Sequence, residues 1–89
     1  MGIKNCLITG ATSGIGLETT KLLAEQGYDV ILVSRSEHKL DTLCKDLERN
    51  FSISTSSYVC DLSSITQTIE VSNKIKADHK EIDCLINNA

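Results

Sequence analysis

Apolar residues recur along the chain with two different periods that alternate from one segment to the next. Short runs rich in β-branched residues are typical of strands, and longer segments with apolar residues three or four positions apart are typical of helices. The predicted strands span residues 3–9, 29–34, 53–60 and 82–87. The predicted helices span residues 14–26, run from a cap at Ser36 to about residue 50, and start again at Ser63 or Ser64. The resulting order is βαβαβαβ.

The apolar positions of each predicted helix indicate which side faces the interior. In the first helix we expect Ile15, Leu22 and Leu23 to point inward, and Gly27 to end the helix. The inward positions expected in the next two helices are Leu40, Leu43 and Leu47, and then Ile65, Ile69 and Ile75.

Strands that are joined by helices must be parallel, because each crossover returns the chain to the same end of the sheet, and such crossovers are right-handed. The unbroken apolar run at residues 30–33 is typical of a strand covered on both faces. Serine and threonine dilute the third strand, which we therefore place nearer a sheet edge. These features predict a doubly wound parallel sheet of order 3-2-1-4, in a single domain over residues 1–89 with no internal boundary.

Composition and charge narrow the class of protein. Hydrophobic residues make up 40% and charged residues 24%, as in ordinary globular proteins. Nine Lys and Arg against twelve Asp and Glu give a net charge of −3, without a basic block, so nucleic acid and anionic membranes are poor candidate partners. The sequence shows no signal-peptide pattern and no apolar run of membrane-spanning length, so we expect a soluble, cytoplasmic protein.

The cysteines and histidines give no sign of a metal site. The four cysteines are widely separated and form no C-x-x-C pair, so we expect reduced thiols acting as small apolar side chains. His38 and His79 have no ligand partner at metal spacing, and we expect both to be solvated on helix surfaces.

A glycine-rich segment at residues 9–16 lies between the first strand and the first helix, where amides at a helix N-terminus can bind a phosphate. By analogy with dinucleotide-binding folds, Gly10 permits the tight turn out of the strand, Gly14 allows close approach of a diphosphate, and Gly16 allows close packing of the helix. The alternative is that these glycines serve only a tight βα turn.

The segment reads T-G-x-x-x-G-x-G, and two further motifs follow: Asp61-Leu62 after the third strand and Asn87-Asn88-Ala89 after the fourth. In this order and spacing, the whole chain closely resembles the N-terminal, Rossmann-like half of the short-chain dehydrogenase/reductase family. The resemblance implies cofactor contacts from Gly10, Thr12, Ser13, Gly14, Ile15, Gly16, Ser34, Arg35, Asp61, Leu62, Asn88 and Ala89. In the family, Asp61 would accept a hydrogen bond from the adenine amino group, and residues 87–89 would steady the fourth strand and approach the adenosine ribose. The alternative for Asp61 is a loop aspartate or helix cap.

Cofactor choice is decided at the end of the second strand, where an acidic residue would bind the ribose 2′-hydroxyl and a basic one would accept a 2′-phosphate. Ser34 occupies the acidic position and Arg35 follows it. A carboxylate at 34 would repel the phosphate, so this pair favours NADP(H) over NAD(H). Ser13 is not basic, so a second phosphate contact seen in some family members is missing. The alternative is that Arg35 is a solvated arginine at a helix start.

The family transfers hydride between nicotinamide and a carbonyl or alcohol substrate, with a Tyr-x-x-x-Lys pair as acid/base. Tyr28 and Tyr58 are followed four residues later by Leu32 and Leu62, so this chain holds no such pair. We expect an inactive N-terminal fragment of an NADP(H)-dependent oxidoreductase, able to form a homo-oligomer only as a full-length protein. A non-catalytic nucleotide-binding or interaction module that is complete at this length is the alternative.

Overall fold

The computed structural model describes residues 4–88. Ile3, with which the first predicted strand begins, and Ala89, a predicted cofactor contact, lie outside them. Strands and helices alternate in the predicted order: β1 (Asn5–Thr9), α1 (Gly14–Glu25), β2 (Asp29–Ser34), α2 (Glu37–Asn50), β3 (Thr55–Val59), α3 (Ile65–Asp78) and β4 (Cys84–Ile86). The order predicted from the alternation of apolar periods is therefore confirmed.

The four strands form one parallel sheet of order β3-β2-β1-β4, which confirms the predicted topology. Cys6 of β1 lies between Val30 of β2 and Cys84 of β4. Strand β3 is at the sheet edge, as its diluted apolar pattern predicted. Strand β4 is shorter than the predicted 82–87 at both ends. Asp83 and Asn5 bond to each other through their side chains before it, and the chain beyond Ile86 bonds to the end of β1 through side chains.

Helices cover both faces of the sheet. Val30 and Leu32 pack with the leucines of α2, whereas Val33 packs in a second cluster with Ile75 of α3. The four apolar residues of β2 are all buried, so the prediction of a strand covered on both sides is confirmed. The doubly wound arrangement leaves the carboxyl ends of the strands together at one edge.

Helix α1 ends as predicted but packs differently. Gly27 has φ +89°, its amide donates to the carbonyl of Ala24, and the Tyr28 amide donates to Leu23, which completes a Schellman motif. The expectation that Ile15 and Leu22 point inward is wrong, since they are 75% and 61% exposed. The buried positions of α1 are Gly16, Thr20 and Ala24. These small residues form a stripe that lets the helix approach the sheet closely and turns the larger aliphatic residues outward, although Leu23 still packs against the core.

Helix α2 agrees with the prediction in its start and in its buried face. The Ser36 hydroxyl accepts a hydrogen bond from the Lys39 amide at 3.3 Å, and so caps the helix. Leu40, Leu43 and Leu47 are buried against the sheet.

Helix α3 begins after Ser64, whose hydroxyl accepts from the Gln67 amide. Ile75 is buried, but the expected inward orientation of Ile65 and Ile69 is wrong, because they are 79% and 57% exposed. The helix contacts the sheet through Ile75 and Val71, and Ile65 and Ile69 lie on a different stripe of its surface.

No helix within residues 4–88 is long and apolar enough to cross a membrane. All four cysteines are free thiols; Cys6 and Cys60 are buried, and Cys44 and Cys84 are half-buried. In the same residues, no group of three or more His, Cys, Asp or Glu side chains is placed to hold a metal ion.

Candidate functional site

A cleft of about 500 Å³ lies at the carboxyl ends of the strands, where the turns after β1, β2 and β3 meet. Seven of the predicted site residues line it: Gly10, Thr12, Ser13, Ser34, Arg35, Asp61 and Leu62. These residues come from three separate turns of the chain, and the parallel sheet brings them together. The volume is in the range of small-molecule and cofactor pockets.

The N-terminus of α1 opens toward this cleft without a side-chain cap. Ser13 is the N-cap residue but makes no capping hydrogen bond, and the first turn contains no acidic residue. Ser36 and Ser64, by contrast, both cap their helices. The first amides of α1, together with the positive end of the helix dipole, are therefore available to an anion.

The three glycines of the loop have different physical roles. Gly14 has φ +56°, and a Cβ there would meet no protein atom within 4 Å, so the loop leaves open space beside the helix N-terminus. A Cβ on Gly10 would lie 2.5 Å from the Asn88 carbonyl oxygen. A Cβ on Gly16 would collide with the Gly10 carbonyl oxygen and lie 2.6 Å from Asn88 Nδ2. Gly16 is thus needed for contact with the loop and residue 88. Ile15, between these glycines, is exposed at the start of the helix.

Asn87 and Asn88 tie the end of β4 to the end of β1. The Thr9 hydroxyl donates to Asn87 Oδ1 at 3.0 Å, and the Asn88 amide donates to Thr9 Oγ1 at 2.9 Å. The Asn88 side chain also reaches the Gly10 carbonyl at 3.5 Å. The motif after β4 therefore holds the start of the glycine loop in place through hydrogen bonds to Thr9 and Gly10.

Ser34 and Arg35 occupy the turn after β2. The Ser34 and Thr12 hydroxyls lie 2.8 Å apart and share a hydrogen bond that joins this turn to the glycine loop. Ser34 Oγ also accepts from the Ser36 amide at 3.4 Å. Arg35 is exposed at the cleft, and within residues 4–88 no carboxylate lies within 4.0 Å of its guanidinium. Lys39 and Asp61 are the other charged residues described in the cleft wall.

Asp61 has the local role considered for it, that of a loop aspartate. Its Oδ1 accepts from the Ser63 hydroxyl at 2.7 Å and from the Ser63 amide at 3.0 Å, so it stabilises the turn before α3. These two bonds, with a smaller effect of the Arg35 charge, hold the pKa of the Asp61 carboxyl below its ordinary value. The residue thus stays anionic at the cleft wall, with Leu62 beside it.

Lys39 and Ser63 also line the cleft but were not among the site residues predicted from the sequence. Lys39 is in the first turn of α2, four residues after Arg35, and this spacing was the available signal. Ser63 was considered only as a helix start, whereas the structure makes it the partner of Asp61.

Neither tyrosine has the environment of an acid/base catalyst. The Tyr58 hydroxyl donates to Asp78 Oδ2 at 2.7 Å, and burial, followed by this contact, raises the pKa of Tyr58 to about 12. A general base needs the opposite shift. Tyr28 packs against the core beside the end of α1.

His79 differs from its expected solvated position. It is half-buried at the C-terminus of α3, its ring lies edge-on to Tyr58 at 6.3 Å, and Nε2 has no hydrogen-bond partner within residues 4–88. His38 is exposed on α2, as expected.

A parallel sheet of order 3-2-1-4 with a glycine-rich turn at an open helix N-terminus defines the Rossmann-like class of α/β folds. More narrowly, the chain belongs to the short chain dehydrogenase family, whose family model matches residues 4–89. This confirms the resemblance read from the three motifs.

Individual relatives agree with the family assignment. The chain is 42% identical over 86 residues to the 3-oxoacyl-[acyl-carrier-protein] reductase FabG of Thermotoga maritima. The alignment covers 97% of this chain and 35% of that protein. A short-chain dehydrogenase from Sphingobium yanoikuyae in complex with NADPH superposes with a TM-score of 0.89 at 32% identity, over 98% of this chain and 34% of the other. The L-sorbose reductase of Gluconobacter frateurii, complexed with NADPH and L-sorbose, gives 0.91 at 27% identity, over 99% and 34%. The chain thus spans about a third of the length of these relatives.

Proposed function

We propose that this chain forms the NADP(H)-binding portion of a short-chain-type oxidoreductase that transfers hydride between nicotinamide and a carbonyl or alcohol substrate. The observation that carries the proposal is a single cleft. Ser13, at the uncapped N-terminus of α1, and the Ser34-Arg35 turn both line it. The helix N-terminus can accept the diphosphate of a dinucleotide, and the arginine can accept its 2′-phosphate.

Several of the predicted residues then have roles in holding the cofactor. Bound NADP(H) would supply the hydride chemistry. The amides of residues 14–16 would bind the diphosphate, since they lack a side-chain cap. Asp61 would orient the adenine through its free carboxylate oxygen, with the Leu62 backbone alongside. Asn88 and Ala89 would approach the adenosine ribose, with Asn88 held in place by Thr9.

The preference for NADP(H) depends on Ser34 and Arg35. Ser34 is hydrogen-bonded to Thr12 and carries no charge, so nothing at the end of β2 repels a 2′-phosphate. Arg35 has no carboxylate partner within 4.0 Å among the described residues, and its guanidinium is free to form a bidentate contact with a phosphate. The NADPH complexes of the Sphingobium and Gluconobacter proteins are consistent with this choice.

The acid/base group of the reaction lies outside this chain in our proposal. No tyrosine here is followed four residues later by lysine, and Tyr58 is bound to Asp78 with a raised pKa. We therefore expect the 89 residues alone to bind the nucleotide without turning over substrate.

Titration of NADPH and NADH into the protein and its Arg35→Ala variant tests the proposal. We expect the Kd of NADPH to rise about tenfold, the size of one charge-assisted contact, with a much smaller change for NADH. Arg49→Ala is the matched control, because Arg49 is exposed at the far end of α2 and pairs with Asp46. If neither nucleotide binds, the proposed function is wrong; if Arg35→Ala leaves the ratio of the two Kd values unchanged, its specificity role is wrong.

The alternative of a non-catalytic nucleotide-binding module makes a different prediction about the gene. An oxidoreductase requires an in-frame Tyr-x-x-x-Lys downstream of residue 89, and a module does not. Sequencing the transcript beyond that position separates the two.

A further inference from the structure

Two of the four cysteines are neighbours in the sheet. Cys6 of β1 and Cys84 of β4 are direct partners in the parallel register. Both side chains lie on the same face, because Cys6 belongs to the core cluster that contains Leu40, and Cys84 packs against that cluster. Leu7, the next residue of β1, packs in the cluster on the other face, as the alternation of a strand requires. The two thiols therefore lie side by side on adjacent strands.

The spacing of the two strands suits an internal disulfide. Adjacent strands are about 4.8 Å apart, and a disulfide joins Cα atoms that are about 4.4–6.8 Å apart. Side chains in register on parallel strands run alongside each other, so their Cβ atoms are farther apart than the mean of about 3.8 Å in disulfides. A bond between Cys6 and Cys84 would therefore be strained, and strain makes a disulfide easier to reduce.

The two thiols differ in their access to solvent. Cys6 is fully buried, whereas Cys84 is half-buried on β4, at one end of the strand order. Burial, followed by the contact with the Cys84 thiol, raises the pKa of Cys6 to about 12. Because the thiolate is the attacking form of a cysteine, Cys84 is the residue that meets an oxidant first, and Cys6 reacts second.

We propose that Cys6 and Cys84 form a thiol-modification site, which a low-molecular-weight disulfide such as oxidised glutathione converts to a labile internal disulfide. The Cys84 thiolate attacks one sulfur of the small disulfide and forms a mixed disulfide, and the released small thiolate takes up the proton that Cys84 lost. The Cys6 sulfur, on losing its proton, attacks the Cys84 sulfur, and the second small thiol leaves with that proton. Two electrons pass from the cysteines to the small disulfide, which ends as two thiols.

The bond would join the two strands that carry the glycine loop and the Asn87-Asn88 segment, which Thr9 already connects by hydrogen bonds. Cys6 is the second residue of β1, whereas the cleft lies at the carboxyl ends of the strands. The inference therefore does not depend on the proposed function, and nucleotide binding can succeed or fail without deciding it.

Oxidation of the folded protein at low concentration by oxidised glutathione tests the pair. Free thiols are then blocked, and tryptic peptides are mapped by mass spectrometry. Trypsin releases Cys6 in residues 5–21 and Cys84 in residues 81–89. We expect these two peptides joined with the loss of two hydrogens, at least about tenfold more abundant than any other cysteine pair, because their Cα atoms lie within bonding range. In urea, where the register is lost, the pairs should be mixed.

Cys44→Ser is the matched control, since Cys44 is also half-buried but lies on α2. This variant should form the link as the original protein does. Cys84→Ser should leave Cys6 as a free thiol, because Cys6 is buried and has lost the partner through which it reacts. Far-UV circular dichroism checks that both variants retain the fold.

Reduction supplies the second readout. Excess reduced glutathione should restore both thiols, because the bond is strained. The proposal is overturned if folded protein keeps Cys6 and Cys84 free under conditions that oxidise the urea-unfolded chain, or if Cys84 carries glutathione and no link forms. A link that resists reduced glutathione would overturn its labile character.

Discussion

Replacement of Ser34 by aspartate places a carboxylate at the position that separates NADP(H) from NAD(H). Ser34 is half-buried in the cleft wall, 2.8 Å from the Thr12 hydroxyl and 3.4 Å from the Ser36 amide. Both groups can donate to a carboxylate, so the structure accommodates the substitution without an unpaired polar group. The expected effect is therefore on the ligand and not on the fold.

The size of the effect follows from the charge geometry. Arg35 directly follows Ser34, so a 2′-phosphate bound to Arg35 would lie within about 5 Å of the new carboxylate. Two unit charges at about 5 Å in an effective dielectric of about 20 repel by about 3 kcal/mol. Salt screening reduces this, which leaves about 1.4 to 2.8 kcal/mol, or about a 10- to 100-fold rise in the Kd of NADPH. NADH should bind no worse, because the carboxylate would accept a bond from its 2′-hydroxyl.

The assay is a calorimetric titration of both dinucleotides into the original protein, Ser34→Asp and Ser34→Ala. The alanine variant is the control, since it removes the bond to Thr12 without adding charge. We expect it to weaken both ligands to a similar extent. The reasoning would be refuted if Ser34→Asp, with its helix content intact, weakened NADPH and NADH equally, because the 2′-phosphate would then lie away from the end of β2.

Two further predictions concern stability. Leu32→Ala, at a fully buried position of β2, should lower the free energy of unfolding by about 2–5 kcal/mol in urea titrations. Leu85→Ala, at a site 64% exposed, should change it by less than about 0.5 kcal/mol, and equal losses would contradict the assigned core. The pKa of Asp61 in the folded protein is below its ordinary 3.8, so its stabilisation is present above that pH and is lost as pH falls through the folded pKa. The advantage of the original protein over Asp61→Asn should therefore shrink as the pH falls below about 3.8, and a constant difference in unfolding free energy would exclude the bonds from Ser63 as its cause.

Local pattern was sufficient for the order and type of the strands and helices and for most of their bounds, although it gave no end for α3 and too long a β4. The continuous apolar run of β2 indicated burial on both faces, and the diluted run of β3 indicated an edge. Ser36 and Gly27 act within a few residues of the helix ends that they define. The glycine loop was recognisable for the same reason, since a strand, a tight turn and a helix start are consecutive in the chain.

The packed face of α1 depended on tertiary contacts. Apolar periodicity selected the large aliphatic residues Ile15 and Leu22, but the helix approaches the sheet through small residues. Hydrophobicity alone does not reveal that choice, because close approach of two backbones gains contact along the whole helix, whereas a large side chain holds them apart.

The candidate site likewise has features that were predicted from the sequence and features that depend on tertiary contacts. The residue types that line the cleft were mostly apparent in the sequence, yet what each one contacts was not. Gly10 is required by contact with the Asn88 carbonyl, and Asn88 is held by Thr9, 79 residues away in the chain. Lys39 became part of the site only when the start of α2 was placed beside the turns after β1 and β3. The sequence by itself thus determined the local elements and the family, because both depend on neighbouring residues and short motifs. Only the tertiary structure decided which helix faces are buried and which charges share the cleft, because those depend on how closely distant segments approach one another.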